Sequence, residues 1–306
     1  MKKSLTIAAS LSALALLYLL TWPVPIDPVA WQAPVDRGLV DPYLPNKLLQ
    51  TASAIDLGAH EGPEDATLGL DNNVYATTLD GAILRIRGEQ VEVFADVGGR
   101  PLGIEVDADG SLVVANAWTG LQRVGMDGSV VTLYGGDDAD VFANNLAIGP
   151  NGVIYFTEAS RKFSARKFRD TMEATLYDVM EHGGHGRVVA FDPESGEART
   201  LIDDLAYANG IAVSEDGDFL VVVEMNEYRI LKVWLAESRR GDADAARQEQ
   251  IPRTRGARWR TDGGFDFGLL RLAKFLDLLA HEIADLLEGG LQRFGKADRV
   301  LDHIHH

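Results

Sequence analysis

The chain has 306 residues, no cysteine, a formal net charge of −17 and an apolar content of 46%. That length allows one large domain or two small ones, and the composition is that of a folded globular protein. Lack of cysteine excludes disulfides, thiolate zinc sites and Cys nucleophiles, and the negative charge repels phosphate backbones while favouring cations, so nucleic acid is not an expected partner.

The first predicted element is residues 1–22. Lys2 and Lys3 precede an almost uncharged run over 5–22, close to the roughly 20 residues that cross a bilayer. The run ends in YLLTWPVP, with Trp22 placed like an interfacial aromatic, rather than in the small-residue site of a cleavable signal peptide, which is the alternative. The expectation is a single-pass membrane helix with its N-terminus cytoplasmic and everything after Pro23 extracytoplasmic, whether periplasmic, lumenal or extracellular. Residues 23–57 hold several prolines and little periodicity, and read as an extended stem.

Over 58–250 the chain repeats. Glu64, Leu102, Asn144 and Asn209 are each followed seven positions later by a turn residue, Asp71, Asp109, Asn151 and Asp216. A short apolar run lies on either side of each turn, so every copy reads as a tight hairpin. The markers stand 38, 42 and 65 residues apart, and sheets recurring at about 40 to 50 residues are the signature of propeller blades. Further strands are predicted at 82–87 and 90–95 in the first copy, 121–124 and 129–134 in the second, 187–192 and 198–202 in the third, and 229–235 in the fourth. The fold class is therefore all-β, a propeller with about four recognisable blades. In a propeller the first strand of each blade lines the central channel, so the markers converge at one end of the axis. Three of them bear oxygen ligands: Glu64, Asn144 and Asn209.

The long gap in the third copy holds Phe168, Met172, Leu176 and Val179 or Met180 at helical spacing, after a basic stretch with Arg161, Lys162, Arg166, Lys167 and Arg169. Two readings stand: a lid over one end of the channel, or an amphipathic helix packed on the blade edge with its basic face in water. His182 and His185 follow at its exit. Glu158 and Glu224 end second strands and read as solvated strand ends that could supply a base.

Residues 251–306 are irregular and Arg-rich, then helical over 269–287 up to Gly289 and Gly290. This segment reads as a partner-binding or membrane-surface helix, as a plug over an open blade edge, or as the product of a reading-frame change that replaced the last blades. The abrupt break in pattern at 246–250 favours the third. His303, His305 and His306 form a C-terminal tail more consistent with accidental metal binding than with a site. An incomplete ring would leave edge strands open to self-association.

The stretches GPEDATLGLD (62–71), GRPLGIEVDADGSLVVANAWTGL (99–121), FANNLAIGPNGVIYFTEAS (142–160), GRVVAFDPESGEARTLIDDLAYANGIAVSEDGDFLVVVE (186–224) and YRILKVWL (228–235) resemble the strictosidine synthase-like proteins. These include the membrane-anchored adipocyte-type branch and belong to the gluconolactonase, regucalcin and paraoxonase superfamily. The resemblance covers roughly residues 60–240. It implies a six-bladed propeller with a divalent cation, usually calcium, on its axis, held here by Glu64 of the GPE motif, Asn144, and Asn209 of the ANG motif.

Departures from the family pattern narrow the chemistry. The family's Asn-Asp pair is Asn144-Asn145, and the paraoxonase histidine position is Leu102 in Pro101-Leu102-Gly103, which does not support a His-based lactonase. The family's next metal-ligating Asp, and the catalytic Glu of true strictosidine synthases, have no counterpart after Gln250.

One carboxylate and two amides would make a weak calcium site. A cation there would polarise a lactone or ester carbonyl for attack by water, with Glu64 and His185 as candidate catalytic groups. The expected function is a membrane-anchored, metal-dependent lactonase or esterase, impaired if its last blades are lost; the alternative is a non-enzymatic extracytoplasmic binding propeller.

Overall fold

The computed structural model describes residues 24–33, 49–136 and 140–235, with shorter pieces at 10–14, 16–18, 39, 44–47 and, as backbone, 243–246. The predicted tail, 251–306, with His303, His305 and His306, lies outside the described residues, as does most of the apolar run at 5–22. Residues 10–14 and 16–18 are helical. Among the described residues no helix is long and apolar enough to cross a membrane.

The seven-residue step of the repeat ends each time in the same local device. Oδ1 of Asp71 accepts from the Asn73 N–H at 3.1 Å, Asp109 from Ser111 at 2.9 Å, Asn151 from Val153 at 3.3 Å and Asp216 from Asp218 at 3.2 Å. A short polar side chain that bonds the backbone two residues on reverses the chain tightly, so every marker starts a strand that folds straight back on itself.

Four antiparallel sheets result. The first contains β1 (Ala66–Leu68), β2 (Val74–Thr77), β3 (Ala82–Arg87) and β4 (Gln90–Asp96), and the second β5 (Pro101–Val106), β6 (Leu112–Asn116), β7 (Gly120–Val124) and β8 (Val130–Gly135). The third holds β9 (Ala143–Ile148), β10 (Ile154–Glu158), β11 (Gly186–Phe191) and β12 (Ala198–Leu205), and the fourth β13 (Ala208–Val213), β14 (Phe219–Glu224), β15 (Arg229–Trp234) and β16 (Ala243–Ala246). In every sheet sequential strands are neighbours.

The sheets stack face to face through three apolar layers. Tyr75 and Ile83 meet Ile104 and Leu112 between the first and second. Val113 and Leu121 meet Leu146 and Phe156 between the second and third, and Val188 and Ala190 meet Leu220 and Val222 between the third and fourth. The second strands β6 and β10 are buried along their whole length, as expected of strands covered on both faces. First strands of consecutive sheets are also in contact, β1 with β5, β5 with β9 and β9 with β13, which is the inner-strand arrangement of propeller blades. Gly103 permits one of these approaches: a Cβ there would come within 2.8 Å of the Asn145 Cα.

The insertion in the third sheet is α1 (Thr171–Glu181), capped by Asp170, whose side chain accepts from the Glu173 N–H at 2.7 Å. It lies over the marker end of the sheets, where Leu102, Phe142, Ala174 and Tyr207 share an apolar cluster with Ile26 and Trp118 at its edge. The helical spacing of Phe168, Met172, Leu176 and Val179 or Met180 predicted one apolar face; Phe168, just before the helix, does pack against the cluster, but the structure turns Met172, Leu176, Val179 and Met180 outward. Those four are exposed, while Ala174, Asp178 and Glu181 are buried. The inward face is held by polar contacts that periodicity does not register. Residues 24–33 also do more than lead into the first sheet: Val29 N–H donates to the Glu181 carbonyl at 2.8 Å, and Asp27 N–H to Glu181 Oε2 at 2.8 Å.

Candidate metal centre

The four markers occupy one position in the fold. Glu64 stands two residues before β1, and Leu102, Asn144 and Asn209 are the second residues of β5, β9 and β13. In these three sheets the ladder slips at that point, between Pro101 and Ile104, opposite Phe156 and Glu158, and between Ala208 and Ile211. A bulge bends the strand and re-aims the side chain it carries.

Two of the copies fix their neighbour through a threonine latch. Thr77 Oγ1 accepts from the Asp65 N–H at 3.2 Å and donates to the Leu102 carbonyl, the next marker, at 2.9 Å. Thr157 Oγ1 repeats the pattern, accepting from the Asn145 N–H at 3.1 Å and donating to the Asn209 carbonyl at 2.5 Å. Asp65 adds a second tie, its Oδ2 accepting from the Ile104 N–H at 3.1 Å. The backbone at Leu102 and at Asn209 is thus pinned from the adjacent sheet.

What the markers present is oxygen. Asn144 and Asn209 are 4% and 7% exposed, and their amide Oδ1 atoms are buried without a hydrogen-bond partner; Asn209 Nδ2 approaches Met225 Sδ at 3.8 Å. Glu64 is half-buried, with Oε2 shielded from solvent. A buried amide oxygen left without a donor costs about 1–3 kcal/mol, which a cation would relieve. One carboxylate with two amide oxygens is a hard donor set, suited to calcium and not to zinc. Leu102, the fourth marker, is buried in the apolar cluster under α1. Among the described residues no group of three or more His, Asp or Glu side chains is arranged to hold a metal.

Glu158 and Glu224 are not solvated strand ends. They are 2% and 1% exposed, and each is paired with the arginine opposite it on the next strand, Arg187 Nε at 2.5 Å and Arg229 Nε at 2.6 Å. Glu224 Oε1 also accepts from the Ala206 N–H. For Glu224 the nearby Arg229 was the signal in the sequence, since the β14–β15 hairpin places it directly across; Arg187 is 29 residues from Glu158 and gave none.

His185 sits under the C-terminal end of α1. Its Nε2 is 2.5 Å from Glu181 Oε1, and its ring meets Phe163 edge-on. Lys162 Nζ takes the other oxygen of Glu181 at 2.5 Å and reaches Asp27 at 2.9 Å. Burial works against the charged form of Glu181, but Lys162, the Asp27 N–H and His185 together hold its carboxyl below the usual range. Asp178, fully buried and bonded by Asn226 Nδ2 at 3.0 Å, shows the opposite. Its burial pushes the carboxyl up to about 6, against the pull of Ser160, His185 and Asn226. His182 ends the helix in the left-handed region, φ 57°, with the Trp31 ring tilted against it at 4.3 Å.

Residues 144–238 match the family model for strictosidine synthase, and residues 41–86 that for the strictosidine synthase-like N-terminal region. Protein STRICTOSIDINE SYNTHASE-LIKE 4 of Arabidopsis thaliana is 34% identical over 211 residues, 65% of this chain and 55% of that protein. The adipocyte plasma membrane-associated protein of Gallus gallus is 31% identical over 264 residues, 78% of this chain and 61% of the relative. The chain therefore spans only about 55–61% of the length of these relatives. Among solved structures, a gluconolactonase from Xanthomonas campestris superposes with a TM-score of 0.50 at 21% identity, covering 61% of this chain and 62% of that one, a likeness of fold.

Proposed function

The sheet region of this chain is homologous to the strictosidine synthase-like and adipocyte plasma membrane-associated proteins, and from that premise we propose that it is a membrane-associated hydrolase of lactones or esters that works with a divalent cation of the calcium class. The observation that carries this reading is the pair of buried amide oxygens, Asn144 Oδ1 and Asn209 Oδ1, that end without a donor at equivalent bulges of adjacent sheets. Glu64, at the same position of the first sheet, would contribute the negative charge. When bound, the cation supplies Lewis-acid polarisation of a carbonyl. The chain's own part is to hold the three oxygens at the starts of the inner strands, with Asn209 latched by Thr157, and, through Leu102, Phe142 and Tyr207, to offer apolar surface beside them. Membrane association draws support from the apolar run at 5–22 and from the name of the adipocyte relatives.

A second reading rests on Leu102. With an aliphatic side chain at one of four equivalent positions and a single carboxylate among them, the site is also suited to binding a ligand without turning it over.

Calcium titration by calorimetry, followed by assays with δ-valerolactone and phenyl acetate, separates the two. The hydrolase reading expects weak calcium binding, turnover that depends on it, and a loss in Glu64→Gln on the order of tenfold or more in affinity as the only carboxylate goes. Calcium binding without turnover supports the binding module; no binding to the wild type removes the metal centre from both.

A further inference from the structure

α1 is turned the wrong way for a helix that faces water. Its exposed positions include Met172, Leu176, Val179 and Met180, all apolar, while Asp178 and Glu181 point inward. The four follow the i, i+4, i+7, i+8 pattern of a single helix face. The stripe continues beyond the helix: Tyr228, 59% exposed, stacks on Trp31 at 5.6 Å, and Trp31 covers His182 at the end of α1. An aliphatic face edged by Trp and Tyr is the surface that suits a lipid interface.

The chain itself supplies the position of that interface. Ile26 packs in the cluster under α1, and Asp27 and Val29 are bonded to Glu181. The apolar run that precedes them ends at Trp22, and four residues reach at most about 14 Å. A bilayer entered by that run therefore lies beside α1.

We propose that the exposed face of α1, with Trp31 and Tyr228, rests in the interfacial layer of the bilayer and turns the marker end of the sheets toward it. This rests on the membrane association proposed above. The attachment is apolar, since the cation nearest the start of the helix, Arg169, is already paired with Glu173 at 3.3 Å and the chain is strongly acidic; neutral lipid suffices.

The absence of native cysteine makes the test direct. Leu176→Cys in the full chain is labelled with an environment-sensitive fluorophore and reconstituted in phosphatidylcholine vesicles with and without doxyl-labelled lipid. Glu194→Cys, exposed in the turn between β11 and β12 at the far end of the third sheet, is the reference. The proposal expects a blue shift and lipid-dependent quenching at 176, neither at 194, and the same result without anionic lipid. Vesicle flotation of the protein with 176 as wet as 194 overturns the proposal and leaves membrane association standing; failure to float overturns both. A probe at 176 that is already blue-shifted before lipid is added overturns it in favour of a second copy, where the shift depends on protein concentration, or of the chain's own residues 251–306, where it does not.

Discussion

Asp178 is a carboxyl group enclosed by the fold, and its environment fixes a pH dependence. Burial raises its pKa to about 6 from an ordinary 3.8, so the folded state binds the proton more tightly than the unfolded chain does. Its contribution to stability is present in full below pH 4, falls as the pH rises through the interval up to 6, and is level above that. Asp178→Asn removes this dependence: the variant should match the wild type in urea unfolding at pH 4 and gain on it up to pH 6, by at most roughly 3 kcal/mol at 1.36 kcal/mol per unit. A gain that is the same at every pH would mean that packing, and not ionisation, sets the difference. At this scale the markers were legible, because a fixed register between a polar residue and an Asx turn survives in sequence. Asp178 and Glu181 were not legible, because their partners, Asn226 and Lys162 with Asp27, are distant along the chain.

Among the elements, the threonine latch joins neighbouring inner strands with one hydroxyl that both accepts and donates. Thr157→Val keeps the shape and removes both bonds, leaving the Asn145 N–H and the Asn209 carbonyl without that partner. The expected loss is about 1–3 kcal/mol, read as a lower urea midpoint at unchanged slope. Thr77→Val should behave alike, and the two losses should nearly add, since they act in different sheets. Strands and turns were readable here because alternation and Asx chemistry are local. The orientation of α1 was not: spacing identifies an apolar face without saying whether protein or lipid covers it, and Met172, Leu176, Val179 and Met180 give the same pattern either way.

For the whole molecule, four sheets account for sequence matching a little over half of its relatives' length. Among the described residues no further sheet covers the outer faces of the first and fourth, and Leu68 and Val93 of the first sheet stand 40% and 54% exposed. Unpaired sheet surface invites association. In sedimentation velocity the weight-average coefficient of this chain should rise with concentration, and a constant monomer value would set the idea aside.

The bond from the Asp27 N–H to the Glu181 carboxylate joins residues 154 positions apart. During synthesis the early segment leaves the ribosome long before its anchor exists, so this strap can close only after α1 has been delivered; until then the start of the chain is free to find its destination while the sheets are still being assembled behind it.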